Sequence, residues 1–239
     1  MKVIILAGGL GTRLSEYTKK ITKPMVEIGG IPIIRHIIDL FINAGFSDFL
    51  IAGGYKYEVL KKYFEKNKIH NSIIRVINTG KNSLTAKRLY NLKKFVKNQR
   101  FLLTYGDGLC DVPIQALVKF HIRNKRILTI TAVHPPARFG ELIIKGNKLE
   151  NFQEKPQLQK GWINGGFFVV EPEFYKYLSK KNQMLEREPI SKIIKSGMAS
   201  AYKHRGFWYC MDNIRDKEIL ESMYKKKTKI WERLKQKNT

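Results

Sequence analysis

The chain has 239 residues, 43% of them hydrophobic, enough for one large domain or a domain with a small appendage around a sizeable core. No apolar run reaches the length of a membrane span, and Met1 leads straight into a strand-like run rather than a signal peptide. Two cysteines in a chain this long do not make a disulfide framework, so a reducing, cytoplasmic setting is expected.

Charge is the unusual bulk property. Lysine and arginine total 45 against 20 acids, a net +25, which raises the question of a nucleic-acid partner. The excess is spread along the whole chain, with only Lys225 to Lys237 forming a basic cluster. No zinc-finger spacing and no RNP-like aromatic motif accompany it. Nucleic acid is therefore not the expected partner; an anionic substrate is compatible with the same charge.

Lys2 to Leu6 is a nearly unbroken apolar run, the pattern of a strand buried on both faces of a parallel sheet. It enters a glycine-rich loop, Gly8-Gly9-Leu10-Gly11-Thr12-Arg13. Glycines there leave room for a ligand against the main chain, and successive exposed N–H groups form an anion-binding concavity. Arg13 and Lys23 add two cations suited to a triphosphate. The loop alone is weak evidence. It lacks the Gly-Lys-Ser/Thr ending of a P-loop, and no acidic residue stands where a dinucleotide fold needs one.

Ile33, Ile34, Ile37, Ile38, Phe41 and Ile42 recur at helical spacing, with Gly45 as the stop. Asp48 to Ala52 reads as a strand, Val59 to Phe64 as an amphipathic helix and Ile73 to Ile77 as a third strand. A polar loop, Asn78 to Thr85, precedes a helix reaching Phe95. Phe101 to Tyr105 is a fourth strand running into Gly106-Asp107-Gly108. A helix with Asp111 as cap and Pro113 just inside its start extends to about Asn124. Past Ile127, strand-like runs dominate: Ile127 to Val133, Glu141 to Ile144, Leu149 to Glu154, Trp162 to Val170 and Ala199 to Tyr202. Helices are expected at Phe174 to Leu178, around Ile190 to Ile194, and from Arg215 to Tyr224. The alternation predicts an α/β fold, doubly wound around a mostly parallel central sheet, with a mixed, partly antiparallel second half. No linker or repeat divides residues 1–239, so one domain is expected.

Asp107, between two glycines at a strand end, is placed where ligands bind in open α/β sheets. A carboxylate beside phosphate-binding cations suits Mg²⁺, although Gly-Asp-Gly also makes tight turns. Asp212, after an aromatic strand-like run, could supply a second carboxylate. The five histidines lack ligand spacing and read as structural or exposed. Cys110 and Cys210 lie near the two aspartates, but Mg²⁺ prefers oxygen, so packed, reduced thiols are expected.

Taken together, the glycine loop, Arg13 and Lys23-Pro24-Met25 resemble the signature of the sugar-nucleotide pyrophosphorylases (sugar-phosphate nucleotidyltransferases). The likeness continues in order through Val26-Glu27-Ile28-Gly29-Gly30, Tyr105-Gly106-Asp107-Gly108, Arg138-Phe139-Gly140 and Asn151-Phe152-Gln153-Glu154-Lys155-Pro156. It goes on through Ile163-Asn164-Gly165-Gly166-Phe167-Phe168, Glu186-Arg187-Glu188-Pro189 and Gly206-Phe207-Trp208, to Met211-Asp212 and Arg215-Asp216. This set is similar to the glucose-1-phosphate cytidylyltransferases over Met1 to about Tyr224.

The resemblance implies a Rossmann-like nucleotidyltransferase fold with a nucleotide-binding half (1–126), a sugar-phosphate-binding half (127–224) and a basic tail (225–239). It implies Mg²⁺-dependent condensation of a nucleoside triphosphate, CTP, with a sugar 1-phosphate, glucose 1-phosphate, to an NDP-sugar and pyrophosphate. Leu6, Ala7, Gly8, Gly9, Gly11, Thr12, Arg13, Lys23, Arg88 and Gly106 would hold the nucleotide, and Asp107 and Asp212 the metal. Gly140, Glu154, Lys155 and Asn164 would hold the sugar phosphate, with Arg13, Lys23, Asp107 and Lys155 as the catalytic set. Glu186 and Glu188 are further sugar-side candidates, with a solvated helix end as the other reading. A homo-oligomer is expected. Two departures stand out: Thr85-Ala86-Lys87-Arg88 replaces the usual Thr-Gly-Gly-Arg, and the chain is short around Asn67 to Ile74. They leave open another nucleotide or acceptor, and a catalytically silent regulatory subunit is the alternative from outside enzymology.

Overall fold

The computed structural model describes residues 1–96, 98–136, 141–153, 161–226 and 231. In chain order the first half runs β1 (Lys2–Ala7), α1 (Ser15–Thr18), β2 (Glu27–Ile28), β3 (Ile31–Pro32), α2 (Ile33–Asn43), β4 (Asp48–Gly53), α3 (Tyr57–Lys66) and β5 (Ile73–Asn78). It continues with α4 (Thr85–Asn91), α5 (Lys93–Val96), β6 (Phe101–Tyr105), β7 (Gly108–Cys110) and α6 (Ile114–Asn124). The second half holds β8 (Leu128–Val133), β9 (Glu141–Lys145), β10 (Lys148–Gln153), β11 (Ile163–Val170), α7 (Glu188–Lys195), β12 (Ala199–Lys203), β13 (Trp208–Cys210) and α8 (Ile214–Lys225).

Seven strands form the central sheet in the order β12-β8-β11-β6-β1-β4-β5. Every neighbouring pair is parallel except the two made by β11, so this strand alone runs against the other six. The sheet is thus mostly parallel, as the β-loop-α alternation requires. The continuous apolar runs now have a cause. Side chains alternate between faces, and each face has its own core. Val3 and Ile5 of β1, Phe49 and Ile51 of β4, and Phe167 and Val169 of β11 pack with α2, α3, α6 and α8. Ile4, Leu50 and Phe168, one residue along each strand, pack instead with α4, α7 and the 3₁₀ helix Pro172–Tyr177. Burying a strand on both faces leaves little room for polar residues, and the buried ones in β6 and β8 are the short threonines Thr104, Thr129 and Thr131. Each large aliphatic or aromatic side chain so buried contributes about 1.5–3 kcal/mol.

The winding reverses beside β1. β4 and β5 follow it on one side, whereas β6 joins on the other. The carboxyl ends of β1 and β6 therefore lie side by side at a topological switch point, where open α/β sheets bind ligands.

Some elements differ from the sequence reading. The helix reaching Phe95 is two pieces, α4 and α5, parted at Leu92. Phe174 to Leu178 forms a 3₁₀ helix rather than an α-helix. Pro113, not Asp111, occupies the cap of α6, and no side chain caps that helix; the Asp111 carboxylate instead meets His204 Nε2 at 2.7 Å. A two-stranded ribbon of β7 and β13, three residues each, was not foreseen, because so short a strand carries no readable periodicity. In register it pairs Trp208 with Cys110 and Cys210 with Gly108.

Candidate active site

The loop after β1 is held from below. The Gly8 carbonyl accepts from Tyr55 N at 3.2 Å and from Arg88 Nη2 at 2.7 Å. A Cβ at Gly8 would stand 2.2 Å from the Arg88 guanidinium, so glycine is needed there because an arginine runs directly beneath it. Gly11 takes φ +66°, a conformation that favours glycine, and starts the 3₁₀ turn Thr12–Leu14. Its carbonyl accepts from Leu14 N at 2.9 Å and Thr18 Oγ1 at 3.0 Å.

Arg88 is only 4% exposed and has no acid beside it in its hydrogen bonding. Its guanidinium donates to the carbonyls of Gly8, Gly53, Gly80 and Lys81 and to Thr79 Oγ1, at 2.7–3.2 Å. Those acceptors lie at or just past the ends of β1, β4 and β5. Burial pulls its pKa down to about 10, leaving it charged at neutral pH. Arg88 thus braces the loop from beneath, its hydrogen bonds going to the segments around the glycines, and it also lines the cavity beside the loop.

Across the cleft, three chain-distant charges meet. Lys23 Nζ, in the 3₁₀ turn Lys23–Met25, lies 2.7 Å from Asp107 Oδ2 and 2.9 Å from Asp212 Oδ1. Arg13 Nη1 lies 3.1 Å from the other oxygen of Asp212, on a side chain that is 70% exposed. Burial alone would depress the Lys23 ammonium, but the charge and hydrogen bond of Asp107, and then Asp212, push its pKa up to about 12. Burial pushes the Asp212 carboxyl up, yet Lys23 and Arg13 hold it below the usual carboxylate range.

The β7–β13 ribbon is what makes this meeting possible. Met211 N donates to Asp107 O at 2.9 Å, directly joining the segments that carry the two aspartates. Asp212 is then fixed by the start of α8, where its N–H and that of Asn213 donate to Asp216 Oδ2 and Asn213 caps the helix in return. Asp107, Cys210 and Asp212 each offer a ligand atom, all within 4.8 Å of one another.

A cavity of about 530 Å³ opens between these groups and the loop, within the usual range for small-molecule sites. Leu6, Ala7, Gly8 and Gly9 line one wall, and Lys23, Gly106, Asp107 and Asp212 line the floor. Gly11, Thr12 and Arg13 are not part of its lining. The opposite wall comes from β11 and the segment before α7. Asn164 Oδ1 accepts from Gly166 N at 2.8 Å, and Trp208 Nε1 donates to Gly165 O at 2.8 Å. Glu186 accepts from Thr85 Oγ1 at 2.7 Å and from the Tyr105 hydroxyl. Burial and the Glu186 charge keep that phenol protonated far above its ordinary range.

Glu186 therefore lines the cavity, whereas Glu188 sits on the surface of α7, paired with Lys192. Tyr105, Thr85, Trp208 and Cys210 also line it without having been singled out for roles from sequence; the first three lay inside quoted motifs, but their place in the cavity follows only from tertiary contacts. Gly140, Glu154 and Lys155 lie outside the described residues. No histidine lines the cavity among the described residues.

A glycine loop at the switch point of a mostly parallel sheet, facing paired carboxylates and a fixed ammonium, is an arrangement suited to a transferase acting on nucleotides. The nucleotidyl transferase family model matches residues 2–214, and the chain belongs to that family. Among its relatives, glucose-1-phosphate cytidylyltransferase of Salmonella typhimurium is 40% identical over 97% of this chain and 98% of its own length. Mannose-1-phosphate guanyltransferase of Emericella nidulans is 31% identical over 92% of this chain and 62% of its own. HddC from Yersinia pseudotuberculosis superposes with a TM-score of 0.75 at 23% identity, covering 93% of this chain and 99% of that one, a likeness of fold.

Proposed function

We propose that this protein is a glucose-1-phosphate cytidylyltransferase, joining CTP and glucose 1-phosphate to CDP-glucose with release of pyrophosphate. The observation that carries the reading is the convergence of Lys23, Asp107 and Asp212 opposite the glycine loop. Forty per cent identity along nearly the full length of a cytidylyltransferase supports the substrates.

A phosphate monoester loses its second proton near pH 6, so the attacking oxygen of glucose 1-phosphate is already anionic at neutral pH. No general base is required. That oxygen forms a bond to the α-phosphorus of CTP, the bond from this phosphorus to the β-bridging oxygen breaks, and the electron pair leaves with pyrophosphate. The chain's contribution is positioning and charge. The loop after β1 receives the triphosphate on its backbone N–H groups. Lys23, with its raised pKa, presents a permanent positive charge to the incoming phosphates, and Arg13 adds a second at the rim. Lys155 aligns the sugar phosphate and Glu154 and Asn164 its hydroxyls, as the family resemblance implies.

Asp107 and Asp212 fit a divalent cation: their oxygens already share one positive charge, the Lys23 ammonium, and hard ions take carboxylate oxygens. When bound there, Mg²⁺ would supply charge neutralisation at the phosphoryl oxygens.

The test is a matrix of nucleoside triphosphates against sugar 1-phosphates, read by pyrophosphate release. CTP with glucose 1-phosphate should give the highest kcat/KM. A silent protein across the matrix, or turnover that prefers another pair by tenfold, overturns the reading.

A further inference from the structure

Two thiols stand beside carboxylates in this fold, and only one of them borders the cavity. Cys210, at the end of β13, lines it together with Asp107 and Asp212. Cys110, at the other end of the ribbon opposite Trp208, is fully buried and groups instead with Asp111 and His204. The Cys210 sulfur lies within 4.8 Å of a carboxylate oxygen of each aspartate, the same two side chains that hold Lys23.

Donors bound to one ion at about 2.0–2.3 Å lie no more than roughly 4.6 Å apart. The mutual limit of 4.8 Å among Cys210, Asp107 and Asp212 meets that requirement with side-chain shifts of a few tenths of an ångström. A carboxylate pair alone is a hard site with little preference for soft ions. A sulfur converging on the same point changes its selectivity, because thiolate favours Zn²⁺, Cd²⁺ and Co²⁺ over Mg²⁺.

We propose that Cys210 is a third ligand of the Asp107–Asp212 cation site, which therefore binds thiophilic divalent ions more tightly than Mg²⁺ and is arrested by them. The proposal rests on the reading of the two aspartates as the cation site. When such an ion binds, a metal–sulfur bond forms, the S–H bond breaks and the proton passes to solvent, with no change in oxidation state. The Lys23 ammonium, which now neutralises the two carboxylates, gives way to the incoming charge.

Cobalt titration of the substrate-free protein tests this directly. Wild type should develop the near-ultraviolet sulfur-to-cobalt charge-transfer band, Cys110→Ala should keep it, and Cys210→Ser should lose it. Asp107→Asn in the wild-type background should weaken it, which locates the ion even where Cys110→Ala does not fold. In Mg²⁺-supported pyrophosphate release, each protein scaled to its own uninhibited rate, the Cd²⁺ concentration that halves turnover should rise in Cys210→Ser. The rise should be at least the ~10–100-fold that even an outer-shell partner commands. A missing band in wild type, a band that survives Cys210→Ser, or one that follows Cys110 overturns the proposal. Since the spectrum needs no substrate, its failure is distinct from failure of the transferase reading, which the nucleotide matrix decides.

Discussion

Removing the Arg88 guanidinium should loosen the nucleotide loop by destabilising three strand ends at once. Five acceptors share this group, and three of them, Gly8 O, Gly80 O and Thr79 Oγ1, lie within 2.7–2.9 Å. A hydrogen bond to a charged partner contributes about 1.5–3 kcal/mol, so the three short ones alone represent about 4.5–9 kcal/mol. Relief of the buried charge offsets several kcal/mol of this, leaving Arg88→Ala about 3 kcal/mol less stable than wild type. In a domain of this size each kcal/mol moves the midpoint by about 2–4 °C, so Tm should drop by roughly 6–12 °C. Arg88→Lys should recover only part, because one ammonium cannot span acceptors that the planar fork reaches on three segments. Thermal melts and CTP titration calorimetry on the three proteins give the answer. A wild-type Tm in Arg88→Ala combined with a selective loss of CTP affinity would refute the brace and leave a direct nucleotide contact as the role of Arg88.

Lys23→Ala should cut kcat by about 10²–10³, the usual cost of losing one preorganised charge-stabilising donor, with a native far-ultraviolet spectrum; near-normal turnover contradicts its placement. Asp212 has a folded pKa below its unfolded value, so its stabilisation is complete above the ordinary carboxylate range and fades as pH falls through the folded pKa. Lys23→Met should move that acid loss to higher pH, seen by carboxylate NMR titration, and an unmoved Asp212 would count against the pairing. Gly166→Ala combines φ +79° with a Cβ 2.7 Å from the Tyr105 ring, so it should lose more than the ~1–2 kcal/mol of the left-handed backbone alone. Denaturant unfolding checks this, and a loss under 0.5 kcal/mol, on the order of a surface change, speaks against a rigid wall.

The sequence by itself carried the doubly wound sheet, because strands buried on both faces must be written as unbroken apolar runs and helices as 3.6-residue stripes. It also placed the glycine loop and Asp107, since a strand end at a switch point is local information. That Asp212 returns to Asp107 was implied by the family resemblance alone and not by local pattern, as a three-residue ribbon has no period to read and the two aspartates stand 105 positions apart. Nor could the sequence show that Arg88 braces the loop from beneath, or separate Cys210 in the cavity from Cys110 in the core. Those distinctions depend on which acceptors a long side chain finds after the sheet has closed, and only the tertiary structure decided them.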